Sequence, residues 1–194
     1  MKMDKDVNYI VSGLERSGTS MLMQILHAGG IPMAFDHDSR PPDDDNPKGY
    51  FELEGGKIIS KLMNREFPLD RFKGTFVKIT AYGLKFLPPG KYKVIYSQRN
   101  IEEILDSMEK MAKIKDEERD ETRRVFTKLN DMIVNRIDAR EDIDVLHVSY
   151  NEIMKNPKEN IKKIYDFLGD EDIDLDTMIS AVDEKLYRKR RQPE

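Results

Sequence analysis

The stretch Val7–Gly30 constrains the fold of this chain more than any other part of the sequence. It begins with a short apolar run, passes through a turn that holds Gly13 and Gly18, and continues from Ser20 as an apolar helical pattern. Two consecutive glycines then signal the end of that helix. A strand, a glycine-rich turn and a helix in this order direct backbone N–H groups and a positive helix end at an anion. We therefore predict a phosphate-binding turn at the centre of this stretch.

The turn itself, Gly13–Ser20, reads GLERSGTS and matches the P-loop pattern G-x4-G-K-[ST] at every position but one. Thr19 stands where that pattern has the lysine that reaches the β- and γ-phosphates of a nucleoside triphosphate. Arg16 lies inside the turn instead, and its guanidinium can form a bidentate pair with phosphate or sulfate. The alternative is an ordinary strand–turn–helix whose glycines only permit tight geometry.

Composition bounds the class of protein. The 194 residues fit one domain of ordinary size, 1–194, and the net charge of −4 argues against a general nucleic-acid binder. The absence of cysteine excludes disulfides and thiolate metal sites, and the three histidines are too far apart for a histidine metal site. The first residues contain no apolar stretch long enough for a signal peptide or membrane span, so we expect a cytoplasmic protein with no membrane partner.

Strand-like and helical patterns alternate along the rest of the chain. Strand-like runs occur at residues 75–80, 92–97 and 144–149, and helical patterns at residues 57–63, 101–111, 116–138 and 157–168. This alternation predicts a three-layer α/β/α domain with a parallel sheet of about four or five strands. Ligands of such sheets bind at the carboxyl ends of the strands, where Gly13–Ser20 and Arg99 both fall.

Three segments outside the strands raise separate expectations. Residues 31–50 are rich in proline and aspartate and indicate a long loop, either a lid that faces the substrate or an acidic segment without chemistry. The helix at 116–138 is expected to bury one apolar side, formed by Val125, Leu129, Met132, Ile133 and Ile137. The basic tail, 183–194, is expected to be solvated.

The strand at 92–97 argues against triphosphate chemistry. A kinase or triphosphatase needs Mg²⁺, commonly held by an acidic residue at the end of a strand. This strand runs into Gln98 and Arg99, and Asp144 begins its strand rather than ending it. The ligand is therefore expected to be a nucleotide phosphate without a γ-phosphate or an obligatory metal. Ser107 lies two helical turns beyond Arg99, so the two side chains could face one crevice.

Three stretches, in the same order, resemble the sulfotransferases that use 3′-phosphoadenosine 5′-phosphosulfate (PAPS). Gly13–Ser20 resembles the phosphosulfate-binding loop of that family, and residues 93–100 with Ser107 resemble its 3′-phosphate motif. Residues 150–169, which end in Phe-Leu-Gly, resemble its C-terminal stretch. By this resemblance the chain is identified as a soluble, bacterial-type member of the family.

The resemblance implies PAPS as the sulfuryl donor, without a metal, and in-line transfer to a hydroxyl or amine of a small-molecule, carbohydrate or peptide acceptor. The residues that it implies for the 5′-phosphosulfate are Arg16, Ser17, Gly18, Thr19 and Ser20. Arg99 and Ser107 would bind the 3′-phosphate, although Arg99 could instead form a surface ion pair and Ser107 could be an ordinary helix-flank serine.

Sulfuryl transfer needs positive charge near the leaving oxygen. Arg16 is the first candidate for that charge and Lys78 the second. Lys78 stands where cytosolic members of the family have a lysine two residues before their catalytic histidine, but this chain has Thr80 in place of the histidine. The base must therefore come from elsewhere, or the chain is inactive.

The general base is open at this stage. A branch of the family that sulfates carbohydrates and protein tyrosines uses a glutamate supplied after the first helix. Glu52 and Glu54 lie in the corresponding region, with Glu54 preferred by a narrow margin, and Asp36 and His37 are further candidates. Two other functions stay open: a P-loop nucleotide kinase, and a nucleotide-binding protein that has lost its base.

Overall fold

The strands and helices are described from a computed structural model that covers residues 3–36, 42–43, 46 and 49–183. The strands are β1 (Asn8–Gly13), β2 (Met33–Ala34), β3 (Phe76–Lys78), β4 (Tyr92–Gln98) and β5 (Ile143–Ser149). The helices are α1 (Thr19–Ala28), α2 (Ile58–Met63), α3 (Ile101–Ala112), α4 (Arg119–Asp138), α5 (Tyr150–Lys155), α6 (Pro157–Leu168) and α7 (Leu175–Ser180). No helix among these residues is long and apolar enough to cross a membrane.

The strands of this part of the chain form one parallel sheet in the order β2-β3-β1-β4-β5. This confirms the predicted α/β fold. β1 lies at the centre of the sheet, with Val11 beside Lys78 of β3 and Gly13 beside Ser97 of β4. The turn after β1 therefore emerges at the middle of the carboxyl edge, where side chains from both neighbouring strands can reach it.

Alternate residues of the central strands serve two hydrophobic cores. Ile10 belongs to the core on one face of the sheet, and Tyr9 and Val11 belong to the core on the other. Both cores include fully buried side chains, such as Val94 in the first and Ile25 of α1 in the second. Layers of helices therefore cover both faces of the sheet.

The predicted long loop at 31–50 contains a strand that the sequence did not reveal. Met33 and Ala34 form β2, which pairs with Phe76 and Val77 of β3 at the edge of the sheet. Two residues are too few for an alternating pattern, so only the neighbouring strand defines this element. Residues 184–194 lie outside the described residues, and the expectation for the basic tail stays a prediction.

The apolar side of α4 is narrower than its sequence predicts. Ile133 and Ile137 are buried and Leu129 packs against the core, but Val125 and Met132 are 51% and 41% exposed. The expectation that these two residues are buried is wrong, because the surface that α4 covers reaches only part of its apolar stripe.

Asp142, just before β5, is expected to contribute stability that disappears in acid. Its carboxylate binds the Arg140 guanidinium and accepts a hydrogen bond from the Gly90 N–H, which lowers the pKa of Asp142 to about 2. A carboxyl with a lowered folded-state pKa stabilises the fold above its unfolded pKa of about 3.9, and that effect is lost as the pH falls through the folded-state value.

Melting temperatures of the protein and its Asp142→Asn variant between pH 6 and pH 2 would check this expectation. At pH 6 the variant should melt about 2–4 °C lower, equivalent to about 1 kcal/mol, because solvent screens this partly exposed pair. The difference should close as the pH falls below the unfolded pKa. A difference that stays constant down to the lowest pH would contradict the role of the ionised carboxylate.

Candidate active site

Two glycines allow the turn between β1 and α1 to close tightly. Gly18 has φ +103°, and a Cβ atom there would lie 2.3 Å from the Tyr150 ring. A Cβ atom on Gly13 would lie 2.4 Å from Ser17 Oγ and 2.5 Å from the Ser97 carbonyl oxygen. No side chain fits at either position, so the backbone of the turn can approach both its neighbours and a ligand closely.

Ser17 is the residue of this turn that most directly suggests a ligand. It is buried, and its Oγ has no hydrogen-bond partner among the described residues. Its carbonyl oxygen accepts a hydrogen bond of 2.7 Å from Ser97 Oγ, which ties the turn to the end of β4. A buried hydroxyl without a partner costs free energy unless a ligand or water satisfies it. The turn at the start of α1 therefore fits an anion such as a phosphosulfate.

On one side of the turn, three predicted donor-binding residues meet. Arg16, in a left-handed conformation with φ +64°, donates from Nε to Ser107 Oγ at 2.9 Å. Arg99 donates from Nη1 to the Arg16 carbonyl oxygen at 3.0 Å. These contacts join residues that lie more than 80 positions apart in the sequence. Arg16 therefore links the two residues that were predicted to face one crevice.

The Arg99 side chain is held by a buried ion pair. Its Nε donates to Glu103 at 3.0 Å, and the Glu103 side chain is only 1% exposed. Asn151 donates to the same carboxylate oxygen at 3.1 Å, and the Arg99 guanidinium lies 4.4 Å from the centroid of the Tyr150 ring. Arg99 thus forms an ion pair that is buried, unlike the surface ion pair that was its alternative role, and this pair orients the guanidinium beside the turn.

Asn100 caps the start of α3, and the Glu103 carboxylate of the first turn binds outside the cap. The Asn100 side chain accepts hydrogen bonds from the backbone N–H groups of Glu102 and Glu103. The Asn100 N–H donates to Asn151, and the Glu103 carboxylate binds Arg99 instead of returning to the cap. The roles of Glu103 and Asn151 escaped sequence reasoning, although the four-residue spacing of Arg99 and Glu103 was an available signal.

On the other side of the turn, Lys78 joins β3 to the first turn of α1. Its Nζ donates to Ser20 Oγ at 3.0 Å and to the Tyr50 carbonyl oxygen at 2.6 Å, and it lies 3.3 Å from Glu52 Oε1. The Lys78 and Glu52 side chains are 5% and 12% exposed. A cation and a carboxylate therefore lie together, nearly buried, beside the first turn of α1.

The other described candidate bases make different contacts: Asp36 donates its backbone N–H to the Glu52 carbonyl oxygen at 2.9 Å. Glu54 forms an ion pair of 2.6 Å with Lys61, is 37% exposed, and donates its backbone N–H to the Asp36 carboxylate. His37 lies outside the described residues. Of the sequence candidates that the structure describes, Glu52 is the one in contact with Lys78.

The backbone around Glu52 is constrained. Phe51 and Glu54 have φ values of +55° and +50°, a region that L-residues rarely adopt, and Gly55 and Gly56 also have positive φ. A Cβ atom on Gly56 would lie 3.0 Å from Glu52 Oε2, so the carboxylate packs against bare backbone. Such strain is commonly found at functional sites, where the surrounding structure holds it.

No group of three potential ligand side chains that could hold a metal ion occurs in the described part of the chain. The prediction that no metal is needed stays untested.

Comparisons with solved structures identify similar folds. The sulfotransferase domain of the Synechococcus PCC 7002 olefin synthase is 14% identical, with a TM-score of 0.57 over 96% of this chain and 81% of that one. Retinol dehydratase, solved with androsterone and the inactive cofactor PAP, is 17% identical, with a TM-score of 0.55 over 91% of this chain and 63% of that one. The sulfotransferase domain of the curacin biosynthetic pathway is 15% identical, with a TM-score of 0.50 over 96% and 92% of the two chains.

At such identities these likenesses concern the fold alone. A search of curated proteins gave no significant match. The family model described as "Sulfotransferase domain" matches residues 6–182, which include the turn between β1 and α1, Lys78, Arg99 and Ser107. The chain therefore belongs to the sulfotransferase domain family.

Proposed function

We propose that this protein transfers the sulfuryl group of PAPS to a hydroxyl or amine of an acceptor. The observation that carries the proposal is the pair of clusters on either side of the turn that begins α1. Arg16, Arg99 and Ser107 form one cluster, and Ser20, Lys78 and Glu52 form the other. PAPS has a 3′-phosphate and a 5′-phosphosulfate, and only the phosphosulfate reacts. It therefore needs one cluster for the 3′-phosphate and another for the reaction, with the turn between them to hold the phosphosulfate.

The turn and the first cluster would hold the donor. The amides at the start of α1 and the Ser17 hydroxyl suit the 5′-phosphosulfate, because unsatisfied N–H groups and the helix dipole favour an anion. Arg99 and Ser107 suit the 3′-phosphate, and the contact between Arg16 and Ser107 supports a role for Arg16 at this end too. The PAP bound to retinol dehydratase is the bisphosphate that such a donor leaves.

The second cluster would carry out the transfer. When bound, the donor supplies an activated sulfuryl group. Glu52 would accept the proton of the acceptor hydroxyl or amine as its oxygen or nitrogen attacks. The Lys78 ammonium, which contacts Ser20 of the turn, would offset the negative charge that develops on the leaving oxygen. We assign this role to Lys78 ahead of Arg16, because in this structure Arg16 binds Ser107 at the opposite cluster.

The low exposure of Lys78 and Glu52 strengthens both roles. Solvent screens a charge less when its neighbours are protein atoms, so a nearly buried ammonium stabilises a developing anion more than an exposed one. Lys78 also holds the Glu52 carboxylate through their ion pair. The acceptor, whether a small molecule, a carbohydrate or a peptide, and the cytoplasmic location stay predictions.

Titration calorimetry with 3′-phosphoadenosine 5′-phosphate, adenosine 5′-phosphate and ATP with Mg²⁺ tests the donor site. We expect the bisphosphate to bind about 100-fold more tightly than the monophosphate, because two charge-assisted contacts are added. Ser107→Ala and Arg99→Lys should each lower the affinity for the bisphosphate by about tenfold. The affinity for the monophosphate should stay within about threefold of that of the unmodified protein. Arg99→Lys is preferable to Arg99→Ala, which would leave the buried Glu103 carboxylate without its cation.

Ser60→Ala, on the exposed side of α2, is the matched control and should change neither affinity. Preference for ATP with Mg²⁺, or indifference to the 3′-phosphate, would refute the proposal and favour the nucleotide kinase. Tight bisphosphate binding without turnover of any hydroxyl or amine acceptor would favour the non-catalytic nucleotide-binding protein.

A further inference from the structure

The outer side of α4 carries an apolar centre that the fold leaves exposed. Val125 and Met132 are 51% and 41% exposed. They lie seven residues apart, or about two turns, so both side chains emerge on the same side of the helix. The other exposed large hydrophobic residues of the described chain, Met63, Tyr82 and Ile114, lie outside α4. Val125 and Met132 therefore form an apolar pair on one side of α4.

Charged residues continue the same line along the helix. Glu121 lies one turn before Val125, Arg136 lies one turn after Met132, and Lys128 lies between the apolar residues. We call these five residues the α4 stripe, and all of them are exposed. The stripe thus has an acidic end, an apolar centre and a basic end. Glu121 also contacts Arg124 within α4, but both side chains are more than half exposed, so this ion pair contributes little.

We propose that the α4 stripe is the interface of a homodimer in which two α4 helices pack antiparallel about a two-fold axis. An axis level with the midpoint between residues 128 and 129 brings Val125 of each copy opposite Met132 of the other. The same axis brings Glu121 opposite Arg136, twice, since a two-fold interface repeats each contact. Charge complementarity selects this arrangement, because parallel helices would oppose Glu121 to Glu121 and Arg136 to Arg136.

The expected dimer is weak. Two apolar residues per copy and the stems of nearby charged side chains bury less than the roughly 800 Å² per partner of a standard interface. The two Lys128 side chains also approach each other near the axis, which opposes association. We therefore expect a dissociation constant on the order of 10–100 µM.

The active site is expected to stay open in this dimer. Arg119 and Arg123 of α4 bind Glu102 of α3, the helix that carries Ser107. These two arginines and the α4 stripe lie on nearly opposite sides of the helix, since almost half a turn around the helix axis separates them. The dimer therefore forms independently of the proposed sulfuryl transfer, and failure of either proposal leaves the other intact.

Analytical ultracentrifugation from about 5 to 500 µM would measure the association. We expect a reversible monomer–dimer equilibrium, weakened at least tenfold by Met132→Glu. Met63→Glu is the matched control, because Met63 is similarly exposed, at 50%, but lies at the end of α2. The single variants Glu121→Arg and Arg136→Glu should each weaken the dimer about fivefold, and the double variant should return to within about twofold of the unmodified protein.

Disulfide trapping tests the antiparallel register, because the chain contains no cysteine of its own. Under oxidation, an equimolar mixture of Val125→Cys and Met132→Cys proteins should yield a covalent dimer that contains one of each. Either protein alone should stay monomeric on a denaturing gel. The single cysteines of its two copies would lie about 10 Å apart along the helix axis, too far for a disulfide.

A protein that stays monomeric at the highest concentration overturns the proposal. So does a dimer that Met132→Glu leaves as tight as before, or a double charge reversal that fails to restore association. Covalent dimers of Val125→Cys alone would show a parallel or unrelated contact and would equally refute the arrangement.

Discussion

Glu52→Gln is expected to lower kcat for sulfuryl transfer by about 10²- to 10⁴-fold, the usual contribution of a general base. The variant keeps the size of the side chain and an oxygen that Lys78 can bind, but it cannot accept the proton of the acceptor. The affinity for 3′-phosphoadenosine 5′-phosphate should change by less than about threefold, since the proposed donor contacts lie on the turn, at Arg99 after β4 and on α3. Turnover would be measured with an acceptor found by screening hydroxyl and amine compounds.

Glu54→Gln serves as the control for the same chemical change two residues away. Because Glu54 binds Lys61 and is 37% exposed, its variant should keep kcat within about threefold of the unmodified enzyme. Loss of activity in Glu54→Gln with activity retained in Glu52→Gln would reverse the assignment and restore the preference that the sequence suggested. Full activity in both variants would direct attention to Asp36, which contacts the same segment.

Gly18→Ala is expected to lower the melting temperature by about 10 °C. The new Cβ atom would lie 2.3 Å from the Tyr150 ring, at a backbone position with φ +103°. Positive φ in a non-glycine residue costs about 1–3 kcal/mol and forced overpacking costs a similar amount. Together these effects amount to about 2–6 kcal/mol, and about 2–4 °C per kcal/mol is typical of a chain of this length. Thermal unfolding followed by circular dichroism would measure the change.

The variant Gly49→Ala separates the cost of positive φ from the cost of overpacking. Gly49 also has positive φ, +93°, but the nearest neighbour of a Cβ atom at this position would be Pro42 Cγ, at 3.9 Å. The free energy of unfolding of this variant should therefore fall only by the cost of positive φ in a non-glycine residue, about 1–3 kcal/mol. Equal losses in the two variants would mean that the Tyr150 ring moves aside without cost, and would contradict the tight packing of the turn against α5.

Much of the fold followed from local patterns. The turn after β1, the helix that it begins and the parallel sheet were all predicted, because apolar periodicity and paired glycines report local geometry directly. β2 could not be predicted, since two residues carry no period and the strand exists only through its pairing with β3. Val125 and Met132 were predicted as buried for a related reason: periodicity identifies an apolar stripe but not the width of the surface that covers it.

The candidate site also combines residues that the sequence predicted with contacts that only the structure revealed. The resemblance to the sulfotransferase family implied donor-binding roles for residues of the turn, Arg99 and Ser107, and these roles stay predictions. The contact between Arg16 and Ser107 joins segments 91 positions apart, and no spacing in the sequence reports it. The sequence also could not show that Glu52 and Glu54 have different surroundings. Side chains two residues apart in an ordinary strand point to the same face, but Phe51 and Glu54 have positive φ, so this segment is not an ordinary strand.

The amino-acid order alone was sufficient for features that local patterns report: a predicted anion cradle at the start of a helix, an arginine inside it with threonine at the position of the usual lysine, and a parallel sheet. Packing decided which distant groups share that cradle. Lys78 reaches Ser20 because β3 pairs beside β1, and Glu52 joins them because a strained segment turns its carboxylate inward. Strand pairing and burial act between segments far apart in the chain, so only the folded structure could reveal them.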